Sequence, residues 1–288
     1  MKQLTILSGK GGTGKTTITA SFAVLAKNAV IVDCDVDVPD LHLLLNPEVI
    51  QKQEFKGLRM AVIDERKCTE CGLCRKKCRF GAVSADLKVD TIACEGCGVC
   101  TIVCPVNAIN LIERVSGSAY VSKTKYGLMS HAMLYPGESN SGKLVTLVRQ
   151  NARILAGKEN IDLILIDGSP GIGCPVIASV AGVDAGLIIT EPTMSGIHDL
   201  NRTLKLLNHF NIPKLVCINK HDINRKNTGK IVRSCKKKKI SIAGKIPFDP
   251  TVTKAMVAGK TIVEYSPENK VALEIKATWK RVLSFLQK

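Results

Sequence analysis

Eight of the twelve cysteines fall into two runs with a single spacing. Cys68, Cys71, Cys74 and Cys78 recur 26 positions later as Cys94, Cys97, Cys100 and Cys104, and Gly72/Gly98 and Ala82/Ala108 keep step. Thiolates are soft ligands, and C-x2-C-x2-C-x3-C spacing sets three of them against one face of an iron–sulfur cubane. Structural zinc is the competing chemistry, because C-x2-C pairs also close tetrahedral sites. Two such pairs would satisfy zinc but leave the third close cysteine and the x3-spaced fourth unexplained. A second set of chemical residues lies near the start: Gly9-Lys10-Gly11-Gly12-Thr13-Gly14-Lys15-Thr16-Thr17. It follows the apolar segment QLTILS and precedes an apolar helical stretch to about Lys27. G-x4-G-K-[ST] between strand and helix is a phosphate-binding loop. Its glycines let backbone N–H groups converge on phosphate oxygens, and the helix N-terminus adds its positive end. Lys15 is expected to reach the β- and γ-phosphates, and the Thr16 hydroxyl to ligate Mg²⁺.

The cysteine spacing resembles that of bacterial two-cluster ferredoxins, in which the fourth cysteine of each run ligates the other cluster. The resemblance implies one [4Fe-4S] centre on Cys68, Cys71, Cys74 and Cys104, and a second on Cys94, Cys97, Cys100 and Cys78. Pro105 after Cys104 fits that pattern. Arg79 stands where the first run would carry its proline, a departure that bears on the local turn.

Lys10 makes the phosphate loop K-G-G-T-G-K-T-T, and here the sequence resembles the MinD/Mrp/ParA group of P-loop ATPases, which includes the nitrogenase iron protein. In that group the early lysine contacts phosphates, often those held by the opposite subunit of an ATP-sandwich dimer. The resemblance therefore implies ATP or ADP with magnesium on Gly9–Thr17, a homodimer, and catalytic roles for Lys10 and Lys15. The second strand ends in Asp33-Cys34-Asp35, which looks like the group's switch I. By that match Asp35 positions the attacking water and Asp33 supports the magnesium shell. Residues 161–173 (IDLILIDGSPGIG) form an apolar strand ending in Asp167, at the end of a parallel strand where phosphate sites lie, so Asp167 is expected to hold Mg²⁺. Asn219 looks like the group's adenine-contacting asparagine, and Gly244–Asp249, with Pro247, resembles the loop over the base.

Strands near 3–8, 30–34, 161–167, 185–190, 214–219 and 241–246 alternate with helical segments. This predicts an α/β fold: a doubly wound, mostly parallel P-loop NTPase sheet. The cysteine runs interrupt it, giving an ATPase domain over 1–60 and 116–288 and a small inserted α+β bacterial-ferredoxin domain over 61–115. Residues 117–135 predict two strands, an edge hairpin beside the insert. A helix follows from Ser141-Gly142-Lys143 to about Gly157, with Lys143 either a solvated lysine or a phosphate contact.

The 288 residues are 45% apolar and only 4% aromatic, as suits an aliphatic sheet core. No run of 18 apolar residues occurs, so no membrane-spanning helix is expected. Nothing at the N-terminus reads as a secretory leader, which predicts a reducing cytoplasm and no disulfide framework. Net charge is +16, falling to about +12 with two oxidised cubanes. That balance favours anionic partners: nucleotides, an acidic redox or metalloprotein, nucleic acid or an anionic membrane face. Lys236–Lys239 reads better as a solvated helix end than as a binding patch. Ile275, Trp279, Val282 and Leu286 fit a core stripe better than a membrane-targeting tail like MinD's. Cys34, Cys174, Cys217 and Cys235 are isolated, and the histidines lack ligand spacing. The function expected is an ATPase whose nucleotide cycle governs electron transfer through two clusters. The rivals are cluster assembly or delivery, and MinD/ParA-like positioning with the clusters as redox sensors.

Overall fold

The computed structural model describes residues 1–138 and 141–287. Two compact units result. The first takes in Met1–Lys52, Ala119–Met133 and the chain from Ser141 onward, and the second Gln53–Ser118 and the segment beginning at Leu134.

The strands are β1 (Lys2–Ser8), β2 (Val30–Asp33), β3 (Glu48–Phe55), β4 (Leu58–Ile63), β5 (Ile109–Arg114) and β6 (Gly117–Thr124). They continue as β7 (Gly127–Leu134), β8 (Leu163–Asp167), β9 (Ala185–Thr190), β10 (Lys214–Asn219) and β11 (Ser241–Ile246). Nine of them form one sheet in the order β11-β10-β9-β1-β8-β2-β7-β6-β3. From β11 through β7 the pairings are parallel. β1 and β9 are buried almost throughout, because a parallel strand with helices on both faces needs apolar side chains on both. On one face the helix Lys15–Ala26 packs against Lys270–Leu286, with the Phe22 and Trp279 rings 4.8 Å apart. Ile275, Trp279, Val282 and Leu286 all belong to that core. Lys236–Lys239 are exposed at the end of the helix Arg225–Lys237. No described helix is long and apolar enough to cross a membrane.

The expected hairpin exists as β6 and β7, but it is not at the edge. β7 pairs parallel with β2 inside the sheet, and β3 lies outside β6. β3 was not anticipated. Its sequence, EVIQKQEF, exposes every residue except Phe55, so it has no apolar period to read.

In the second unit β4 and β5 pair antiparallel in full register, from Leu58↔Arg114 to Ile63↔Ile109. The two cysteine runs repeat one backbone. Gly72 and Gly98 hold φ of 69° and 80° at the starts of the helices Leu73–Lys77 and Val99–Val103. Cys78 and Cys104 end those helices at ψ of 110° and 112°. Arg79 in place of proline therefore leaves the turn unchanged. The core here is small: Ala61, Cys74, Ala82, Val83, Cys94 and Ile109. Arg114 adds a polar anchor, reaching Glu138 at 2.8 Å and donating to the Thr91 carbonyl. The chain leaves β3 and re-enters β6 at one place, where the Ser116 N–H donates to the Phe55 carbonyl at 2.7 Å.

Candidate functional site

Parallel order brings the carboxyl ends of β1, β8 and β2 together, with Ile6↔Asp167 and Asp33↔Asp167 in register. The glycine loop leaves β1 at that edge and turns into the helix Lys15–Ala26. Gly14 takes φ 86°, and a Cβ there would strike the Asn219 amide, so only glycine suits the position. Asn219 donates through Nδ2 to the Thr13 carbonyl at 2.8 Å.

Three side chains of the first helical turns converge on Asp167. Lys15 Nζ lies 2.7 Å from its Oδ2, and the Thr16 hydroxyl donates to the same oxygen at 2.8 Å. Thr19 donates to Oδ1 at 2.7 Å. Lys15 and Asp167 are both buried. Burial works against the Lys15 ammonium, but Asp167 and Asp33 outweigh it and raise its pKa. Asp33 is buried as well and accepts from the Asp35 and Leu41 amides at 3.0 and 3.3 Å. Burial, then the Asp167 carboxylate, pushes it up to about 8 against the pull of Lys15. Burial also pushes Asp35 up to about 6, against Lys15.

A cavity of about 530 Å³ adjoins this cluster. Gly11 through Ile18 line its floor, Asp35 and Asp40 one side, and Asn219, Pro247, Phe248 and Met256 the other. Most of the expected nucleotide residues thus share one cavity. Asp33 and Asp167 sit beneath its lining, and Gly9 and Lys10 lie outside it. Lys10 instead reaches Glu191 at 2.6 Å and Ser195 at 3.1 Å. Lys220 joins the same Glu191 at 3.5 Å and donates to the Gly12 carbonyl at 3.3 Å. Although burial opposes it, bonding to Lys10 leads the causes that hold the Glu191 carboxyl below its ordinary value. The Thr13 hydroxyl is buried in the loop with no hydrogen-bond partner among the described residues. A phosphate oxygen would satisfy it, so the donors present fit a magnesium nucleotide: amides, Lys15 and Thr13 for phosphate, Thr16 and Asp167 for the metal. Thr19, Glu191 and Lys220 escaped the sequence reading. Thr19 had a signal, since it stands one turn after Lys15 on the same helix face.

The second unit sorts its eight cysteines into two cavities. Cys68, Cys71, Cys74 and Cys104 line one, and Cys78, Cys94, Cys97 and Cys100 line another. Among the described residues no three His, Cys, Asp or Glu gather closely enough to hold a single metal ion. Four cysteines to a cavity is the donor count that a cubane takes. Backbone N–H groups already donate to sulfur: Ala61 to Cys94 at 3.5 Å, Glu70 to Cys68 at 3.4 Å and Ala108 to Cys104 at 3.2 Å. Such bonds stabilise thiolates. Burial pushes the Cys74 and Cys100 thiols up, so their ionisation needs a cationic partner.

A glycine loop whose lysine and threonine meet the carboxylate closing the adjacent parallel strand defines a P-loop nucleotide-binding protein. More narrowly, the chain belongs to the CobQ/CobB/MinD/ParA nucleotide-binding family (CbiA), whose model matches residues 4–262. An uncharacterized protein of Methanocaldococcus jannaschii is 36% identical over 99% of this chain and 97% of its own length. The septum site-determining protein MinD of Bacillus subtilis is 23% identical, covering 97% of this chain and 88% of itself. Among solved structures, MinD of Pyrococcus horikoshii complexed with Mg-ADP aligns with a TM-score of 0.62 at 17% identity, over 100% of this chain and 98% of that one. At that identity the likeness speaks for the shared α/β fold and its mostly parallel sheet.

Proposed function

We propose that the chain is a magnesium-dependent ATPase of the MinD/ParA kind that uses its nucleotide state to set its association or position. The observation carrying this reading is the convergence of Lys15, Thr16 and Thr19 on Asp167 beneath a loop with an unsatisfied buried hydroxyl. Loop amides and Lys15 bind the phosphates, while Asn219, Pro247 and Phe248 hold the base. Magnesium, once bound by Thr16 and Asp167, supplies neutralisation of phosphate charge. Asp35 faces the cavity and orients the attacking water, for which a carboxyl near 6 is well placed. Homodimer formation accords with the family, and in a dimer Lys10 would exchange Glu191 for phosphate. The test is titration with MgATP alongside sedimentation with liposomes or DNA. Binding by the native chain, lost in Lys15→Ala, supports the ATPase; ATP-dependent sedimentation supports positioning.

A second reading concerns the other unit, from about residue 61 to 115, as an inserted bacterial-ferredoxin-like module with two [4Fe-4S] clusters. It rests on the two four-cysteine cavities, whose membership is the crossed set that the ferredoxin resemblance implies. On this reading the nucleotide cycle gates electron transfer to a partner. Anaerobic purification with iron and acid-labile sulfide assays tests the clusters, and redox titration with and without MgATP tests the gating. Iron passing to an apo-acceptor would favour delivery instead.

A further inference from the structure

The two cysteine runs share a backbone but not a surface. In the first, Arg75, Lys76, Lys77 and Arg79 surround Cys78; the equivalent positions in the second are Thr101, Ile102, Val103 and Pro105. All four cations are exposed, and none forms an ion pair among the described residues. This contrasts with Lys67 and Lys88 nearby, which pair with Asp64 and Asp86. The segment also touches both cysteine sites. Arg75 lines the open groove beside Cys68, and Phe80 lines the cavity of Cys78, Cys94, Cys97 and Cys100. Leu73 and Phe80 are 38% and 48% exposed, so two apolar side chains accompany the cations. Exposed apolar side chains beside charged ones are the composition of a transient protein interface, and unpaired charge of one sign selects a partner of the other.

We propose that Leu73–Phe80 is the docking face for an acidic one-electron carrier protein, with a negative rim around its own redox centre. The proposal rests on the two-cubane reading. One electron passes between the carrier's centre and one cubane, oxidising one and reducing the other, with no bond or proton exchanged. Cations beside the cysteines place the attraction where the electron must cross, whereas Lys236–Lys239 carry similar charge in the other unit, outside the cysteine runs.

The test uses the anaerobically purified full chain, with iron and sulfide measured, and a plant-type [2Fe–2S] ferredoxin of strongly negative surface as probe. Calorimetric binding should weaken about tenfold or more between 20 and 200 mM salt. Lys76→Glu with Lys77→Glu should weaken it about tenfold at low salt, and the milder Lys76→Gln with Lys77→Gln severalfold. Iron content and bleaching by dithionite should stay unchanged in both. Lys236→Glu with Lys237→Glu should leave affinity intact. No binding at low salt, equal loss in the control variant, or displacement of the carrier by a DNA duplex would overturn the proposal. A chain without iron or sulfide would sink the cubane reading; an iron-loaded chain indifferent to the carrier sinks this one alone.

Discussion

The two units handle buried chemistry in opposite ways. Around Asp167 the first unit satisfies its charges internally: an ammonium and two hydroxyls spend themselves on one carboxylate, and backbone amides hold Asp33. The Thr13 hydroxyl in the loop is the exception, without a partner among the described residues. The second unit turns eight thiols into two cavities and has only six buried residues, two of them cysteines, in its apolar cluster. A core this small supplies little stability of its own.

On the two-cluster reading, that contrast is sharpest under iron removal. Hydrogen exchange should show β4 and β5 losing protection when iron is chelated, while β1 and β8 keep theirs. Equal protection with and without iron would erase the contrast. Next in size, Lys15→Ala should lower MgATP affinity at least about 100-fold, roughly 3 kcal/mol, and leave iron content untouched. It should also lower the melting temperature, since two buried carboxylates lose their cation. Glu191→Gln should act in the reverse sense. On the proposed role of Lys10 toward phosphate, Glu191 is its competitor, so its neutralisation should tighten a fluorescent ATP analogue about three- to tenfold. Weaker binding would make Glu191 a support for the loop and not a competitor.

The smallest effect concerns pH. His131, on β7, sits against Tyr120 and Ser122, and burial lowers its pKa from 6.5 to about 4, with His42 adding to the shift. The unfolded chain then binds a proton between those values that the folded chain refuses, so stability is present above pH 6.5 and lost as pH falls toward 4. Denaturant titrations should show about 1–2 kcal/mol lost over that range, allowing for the ring's partial exposure. His131→Gln should flatten the curve.

How much of this was readable in the sequence depended on local pattern. β8 and β9 announce themselves as unbroken aliphatic runs, the first closed by Asp167. The phosphate loop carries its own context, strand before and helix after. The hairpin was placed wrongly because its burial is polar: Ser118, Ser122 and Ser130 are buried, and their hydroxyls meet Tyr135, His131 and the Val148 carbonyl. Serines at core positions hide a strand that lies inside a sheet. Glu191 was missed for another reason. It stands far along the chain from Lys10, and only the fold of β9 beside β1 brings them together.

The hydrogen bond between Ser116 and Phe55 has a topological consequence. Departure and return are neighbours, so the chain between them leaves and comes back at one point. A short tight turn could replace the excursion without breaking a rung of the ladder. Excision should therefore yield a smaller protein that still folds and still binds nucleotide, and grafting the excursion onto another border of this shape should be equally tolerated.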